Sequence, residues 1–191
     1  MKLMRQRGIL FATLLAVGLA TVGASSLSGL KLRGGRASDD LPAPALQGAD
    51  WINASPTAAA RVSAFKGRVT VLHFWTFECI NCKHNLPYVA KWAAAYKPAD
   101  VQLIGIHTPE LPVERDPANV REAVKALGIT YPVLIDGQGT NWNRYHQEYW
   151  PTVYVIDKKG NLRYKWAGEL QWDGQNGYAE VTAVIEKLRK E

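Results

Sequence analysis

The sequence predicts an α/β domain, a single mixed sheet with helices on both faces. Three observations carry this. Apolar, β-rich runs alternate with helical periods between Val69 and Ile135. A hairpin signature follows, and an amphipathic helix closes the chain. The order β-α-β-α-β, then hairpin, then helix, requires parallel crossovers and an antiparallel edge in one sheet.

Residues 46–53 read as a short strand or turn that precedes the core. Val69-Thr70-Val71-Leu72-His73-Phe74-Trp75 is a β-rich, mainly apolar run bounded by Gly67, the pattern of a central strand covered on both faces. Residues 81–96 follow as a helix stopped by Pro98; Pro87 inside it predicts a kink, since Val89, Ala90, Trp92 and Ala93 keep the helical period. Residues 101–106 form the next buried strand. Pro117 opens a helix that runs through Val120, Val124 and Leu127 to a stop at Gly128. Val133–Ile135 is a short strand and 141–147 a short helix. Thr152–Ile156 and 162–166, joined by Asp157-Lys158-Lys159-Gly160-Asn161, form the hairpin. Residues 178–190 close the chain, with Val181, Val184, Ile185 and Leu188 on one face.

The 191 residues suffice for one domain of ordinary size and an N-terminal appendage. The net charge of +6 falls to +3 beyond residue 30, because Lys2, Arg5 and Arg7 have no acidic neighbours. No basic stripe with interleaved aromatics is present, so no nucleic-acid partner is expected. Residues 8–30 carry no charge and end in the small-residue stretch Val22-Gly23-Ala24-Ser25. They read equally as a secretory signal cleaved after Ala24 and as an uncut membrane anchor, for which about 20 residues suffice. In both cases the basic start keeps the N-terminus in the cytoplasm and the folded part is extracytoplasmic. Residues 31–45, rich in Gly, Pro, Ser and Asp, have linker composition, which leaves 46–191 as the domain.

Cys79 and Cys82 are the only cysteines, three residues apart, directly after an apolar strand and at the start of a helix. At that place the unpaired N–H groups and the helix dipole favour a thiolate. In an oxidising compartment a structural disulfide gains by closing a long loop, whereas this ring closes almost none; catalysis is the better reason for it.

Phe74-Trp75-Thr76 before Cys79-Ile80-Asn81-Cys82, then Asn85-Leu86-Pro87, Gly128-Ile129-Thr130-Tyr131-Pro132-Val133, Trp142-Asn143, Tyr149-Trp150-Pro151, Ile156-Asp157 and Gly168-Glu169 together resemble the thioredoxin superfamily. The likeness is to exported TlpA-type domains, in particular the thioredoxin-like domain of DipZ proteins, and covers about residues 46–188. It implies a thioredoxin-like fold and a cis-proline at Pro151 facing the redox pair. Departures stand out. The pair encloses Ile80-Asn81 rather than Gly-Pro and follows Glu78 rather than Trp. His73 stands where thioredoxins carry a buried acid. Asn85 stands where TlpA-like reductases often carry one.

The expected function is an exported thiol-disulfide oxidoreductase without cofactor or metal. Cys79 is the nucleophile and Cys82 the thiol that resolves the mixed disulfide. Trp150, Pro151 and Trp75 are expected at the substrate, with Trp150 backbone groups pairing an extended segment. His73 and Glu78 are candidates for tuning thiol acidity. Partners are disulfide-bonded or dithiol proteins and a membrane or periplasmic thiol donor, and the TlpA likeness favours the reducing direction. Two rivals remain. One is a peroxidase with Cys79 peroxidatic and Thr76 three residues before it. The other is a copper- or zinc-binding metallochaperone using Cys79, Cys82 and His84 or His107.

Overall fold

The computed structural model describes residues 35–36, 41–55, 57–59 and 65–191. Residues 1–30, with the expected signal or anchor, lie outside the described residues. Among the described residues no helix is long and apolar enough to cross a membrane.

The strands are β1 (Gly35–Arg36), β2 (Trp51–Ile52), β3 (Val69–Trp75), β4 (Val101–His107), β5 (Val133–Ile135), β6 (Thr152–Ile156), β7 (Leu162–Ala167), β8 (Gln171–Trp172) and β9 (Gln175–Asn176). The helices are α1 (Ile80–Ala95), α2 (Pro117–Ala126), α3 (Thr140–Arg144) and α4 (Gly177–Lys190). The main sheet has the order β1-β7-β6-β3-β4-β5-β2. β3, β4 and β5 are parallel, and every other pairing in it is antiparallel.

β3 lies at the centre with all seven residues buried, because pleating alternates its side chains between two covered faces. Val69, Val71 and Trp75 meet Leu86, Val89 and Trp92 of α1, Val120 and Val124 of α2, and Val181 and Ile185 of α4. Leu72 and Phe74 pack on the other face with Ile104, Ile106, Leu134, Tyr145 and Tyr154. Right-handed crossovers between strands in the order β3-β4-β5 put α1 and α2 on the same face.

Helix limits follow local chemistry. Asp116 caps α2 through Ala118 N–H at 2.8 Å, Pro117 occupies its first turn, and Gly128 leaves it at φ 65°. α1 runs through Pro87 without ending. α3 stops at Arg144, short of the expected Gln147, because His146 takes a left-handed φ of 47°.

Four features were not read from the sequence: the small β8–β9 ribbon, the 3-10 turn Pro112–Arg115, the antiparallel seat of β2 on β5, and the pairing of β1, inside the expected linker, with β7. The linker boundary also moves. Residues 41–45 have loop composition but are held on the domain: Leu162 N–H donates to Leu41 O at 2.8 Å, Ala43 N–H to Gly160 O at 2.9 Å and Tyr145 O–H to Pro44 O at 2.7 Å. Backbone hydrogen bonds do not register in residue type.

Candidate active site

β3 ends at Trp75, and four residues later Cys79 caps α1 in extended conformation (φ −68°, ψ 112°). Its Sγ accepts the backbone N–H of Cys82 at 3.2 Å, as a capping oxygen would. Cys79 is half-buried and Cys82 fully buried, and both thiols are free. The pair is therefore asymmetric in acidity. A hydrogen bond from the Cys82 thiol pulls Cys79 down to about 7, against the opposing effects of burial and the Glu110 charge. Burial drives the Cys82 thiol far up, reinforced by its bond to Cys79 and by the charge there; only a backbone bond from Thr76 favours its thiolate.

The Trp150–Pro151 peptide is cis. Thr152 pairs with Phe74 in register, so Pro151 stands beside the end of β3 that leads to Cys79. The Trp150 ring lies on Trp142 with centroids 3.9 Å apart, and its Nε1–H donates to Thr108 O at 3.1 Å. The cis-proline loop is thereby tied to the loop after β4. Among the described residues five large apolar side chains are left exposed; Ile80, Leu111, Val113 and Tyr149 stand on these loops or on the CxxC turn, and the fifth, Trp172, stands on β8.

Trp75 does not join that surface. It is fully buried, edge-on to His107 at 5.3 Å and packed over Gly105, so it has no area to offer a substrate. That corrects its assignment as a substrate contact: β3 is covered on both faces along its whole length.

His73 is buried beside Trp75, and neither ring nitrogen has a hydrogen-bond partner. Burial drags its pKa down to about 3, so the ring is neutral at any ordinary pH and bonds neither sulfur. Glu78 is exposed and forms an ion pair with Lys83 at 3.7 Å. The acid that bears on both thiols is Glu110, on the loop after β4.

Two more polar side chains escaped the sequence reading. Glu114 is buried and accepts the Thr76 hydroxyl together with the backbone N–H groups of Glu78, Glu110 and Leu111. Burial raises its pKa, but the Thr76 hydroxyl and three backbone donors outweigh that and hold it below the ordinary range. Its position three residues after Leu111, just before Pro117, is a turn-capping spacing that could have drawn attention. Asn85, read only as a missing acid, is a bridge. It donates to Gly168 O at 3.2 Å and accepts from Leu170 N–H at 2.7 Å, joining α1 to the segment after β7.

His107 Nε2 lies 3.3 Å from Thr76 Oγ1. Thr76 gives its single proton to Glu114, so the neutral imidazole must donate from Nε2. Burial lowers the His107 pKa to about 4, in keeping with that neutral form. His84, exposed, pairs with Glu169 at 3.1 Å. Among the described residues no three His, Cys, Asp or Glu side chains gather as a metal site.

The chain matches the model of the AhpC/TSA family over residues 40–165. It is 38% identical over 128 residues to Protein DipZ of Mycobacterium tuberculosis (strain CDC 1551 / Oshkosh), covering 66% of this chain but only 18% of that protein. It is 30% identical over 128 residues to the Thiol-disulfide oxidoreductase YkuV of Bacillus subtilis (strain 168), covering 66% of this chain and 84% of that one. Among solved structures it superposes on a thioredoxin-like superfamily protein with a TM-score of 0.67 and 26% identity, over 79% of this chain and 97% of that one. The mixed sheet flanked by helices is thus a thioredoxin-like fold.

Proposed function

Because the chain belongs to the AhpC/TSA family and has a thiol-disulfide oxidoreductase among its relatives, we propose that it reduces protein disulfides outside the cytoplasm through Cys79 and Cys82. One observation carries the reading: a half-exposed thiol at a helix N-cap, ionised near neutrality, bonded to a buried thiol that holds its proton.

The chemistry follows from that asymmetry. Cys79 thiolate attacks one sulfur of a substrate disulfide; the S–S bond breaks, the leaving sulfur takes a proton, and a mixed disulfide forms. At that moment Cys79 loses its charge. Two of the causes that hold Cys82 protonated, the bond to the Cys79 thiolate and its charge, disappear together. Cys82 then gives up its proton more readily and attacks Cys79 Sγ. The second substrate sulfur leaves as a thiol, and the two electrons have passed from the CxxC pair to the substrate. Trp150 and Pro151 form the floor beside Cys79, with Trp150 backbone groups pairing an extended substrate segment.

The peroxidase reading needs the Thr76 hydroxyl beside the reacting sulfur, but that hydroxyl donates to Glu114. The export reading rests on the charge and hydropathy of residues 1–30, with the redox domain, which includes residues 41–45, following and a membrane thiol donor to recycle it.

Dithiol-driven reduction of insulin tests the proposal. The native chain should accelerate it and Cys79→Ser should leave only the dithiol's own rate. A reduction potential near about −270 mV supports the reducing direction, and one near about −120 mV opposes it.

A further inference from the structure

Behind the loop that delivers Cys79 lies a carboxylate only 1% exposed, that of Glu114. Each of its oxygens takes two donors. Oε1 accepts the Thr76 hydroxyl and the Glu78 N–H, the latter at 2.8 Å. Oε2 accepts the N–H groups of Glu110 and Leu111, both at 2.7 Å. The first pair belongs to the segment between β3 and Cys79, and the second to the loop after β4. Capping the 3-10 turn at Pro112 needs Oε2 alone. Oε1 exceeds that need and is spent wholly on the approach to Cys79. A buried anion is costly unless its lone pairs are filled, and here all four acceptor sites are.

We infer that Glu114 is a positioning residue for the redox pair, clamping the Thr76–Glu78 segment to the loop after β4 so that the sulfurs keep their geometry. Two placements depend on the clamp. Cys79, the residue after Glu78, stays at the N-cap with its sulfur on Cys82 N–H. Thr76, whose backbone bond is the one local influence favouring the Cys82 thiolate, stays against the inner sulfur. The same carboxylate holds the backbone of Glu110 and Leu111, and so sets the acidic and apolar rim near Cys79. The inference rests on the reading of Cys79 and Cys82 as the exchanging pair, and deepens it.

Glu114→Gln is the first test. An amide has one acceptor oxygen: with its NH₂ toward Glu110 and Leu111 both bonds of that loop are lost, and with its NH₂ toward Thr76 and Glu78 the Glu78 N–H is orphaned and the Thr76 hydroxyl must turn from donor to acceptor. Thr76→Val removes one donor and leaves the three backbone N–H groups, a gentler variant should the first fail to fold. The readouts are the thiolate titration of Cys79 by absorbance near about 240 nm and its alkylation rate at pH 7, with circular dichroism as the fold control. Glu114→Gln should hold about fivefold less thiolate at pH 7, an upward shift of about one pKa unit from a native value near 7, and Thr76→Val about twofold less. A folded Glu114→Gln whose Cys79 titrates as in the native chain overturns the inference, and if that variant does not fold, an unchanged Thr76→Val does so.

The two readings fail separately. If Cys79→Ser still reduces insulin, the exchange chemistry is wrong whatever the clamp does. If it does not, and the Glu114 and Thr76 variants titrate natively, only the clamp is wrong.

Discussion

The Sγ of Cys79 accepts the backbone N–H of Cys82 at 3.2 Å, and the Cys82 thiol in turn donates to Cys79, so the outer sulfur is ionised largely by the inner one. Cys82→Ala removes the largest influence lowering the Cys79 pKa. The pH midpoint of iodoacetamide alkylation, near 7 in the native chain, should then move up toward the ordinary thiol range. An alanine variant with the native midpoint would show that the helix terminus alone ionises Cys79. The sign for stability follows. A depressed folded pKa means fewer protons bound in the fold than in the unfolded chain, so Cys79 stabilises the reduced protein above about pH 9 and that contribution is lost as pH falls through about 7.

Glu110 opposes the thiolate on both sulfurs. Glu110→Gln should therefore increase Cys79 reactivity below pH 7 by about twofold, the modest size expected of an exposed charge. Raising the salt concentration should mimic the substitution in the native chain and do nothing further in the variant. Equal salt sensitivity of the two proteins would count against this role.

His73 and His107 are buried and neutral, with pKa values lowered to about 3 and about 4. Both bind a proton more readily when unfolded. Their contribution is present above about pH 6.5 and is lost as pH falls from there toward 3. His73 alone accounts for about 2 kcal/mol between pH 7 and pH 5. His73→Leu also removes two unpartnered ring nitrogens. It should raise the urea midpoint at pH 7 and flatten the acid limb by about one proton. An acid limb as steep as the native one would refute this account.

Asn85 satisfies two backbone groups of the segment after β7 while fully buried. Asn85→Ala leaves Gly168 O and Leu170 N–H without it, at a cost of about 2 kcal/mol. Chemical denaturation measures that loss. Asn85→Asp should cost at least as much, since a carboxylate cannot donate to Gly168 O. Tolerance of aspartate here would mean the bridge contributes little.

Much of this was readable along the chain. Val69–Trp75 announced a central strand because six apolar or β-favouring residues around His73 leave no solvent face, and the fold buries all seven. The same run concealed the fate of Trp75, which stands at its end and is buried like the rest rather than exposed beside the thiols. The weak elements were invisible for another reason. β2 and the β8–β9 ribbon are two residues long, too short for any period to show, and exist through the partners they pair with. Residues 41–45 looked like linker because their attachments are backbone hydrogen bonds and two side chains reaching back from α3 and Tyr145.

Sequence alone determined the order of elements, the strand–CxxC–helix junction, and which two sulfurs stand on one helical turn. These depend on spacings of two to four residues, and side-chain period and capping geometry are local. Tertiary structure decided which acid bears on the thiols, Glu110 rather than the adjacent Glu78, and which carboxylate, Glu114, gathers donors from two loops. It also decided that Asn85 serves as a bridge. Charge and hydrogen bonding act through distances in space, and those were set only when the sheet brought the ends of β3, β4 and β6 together.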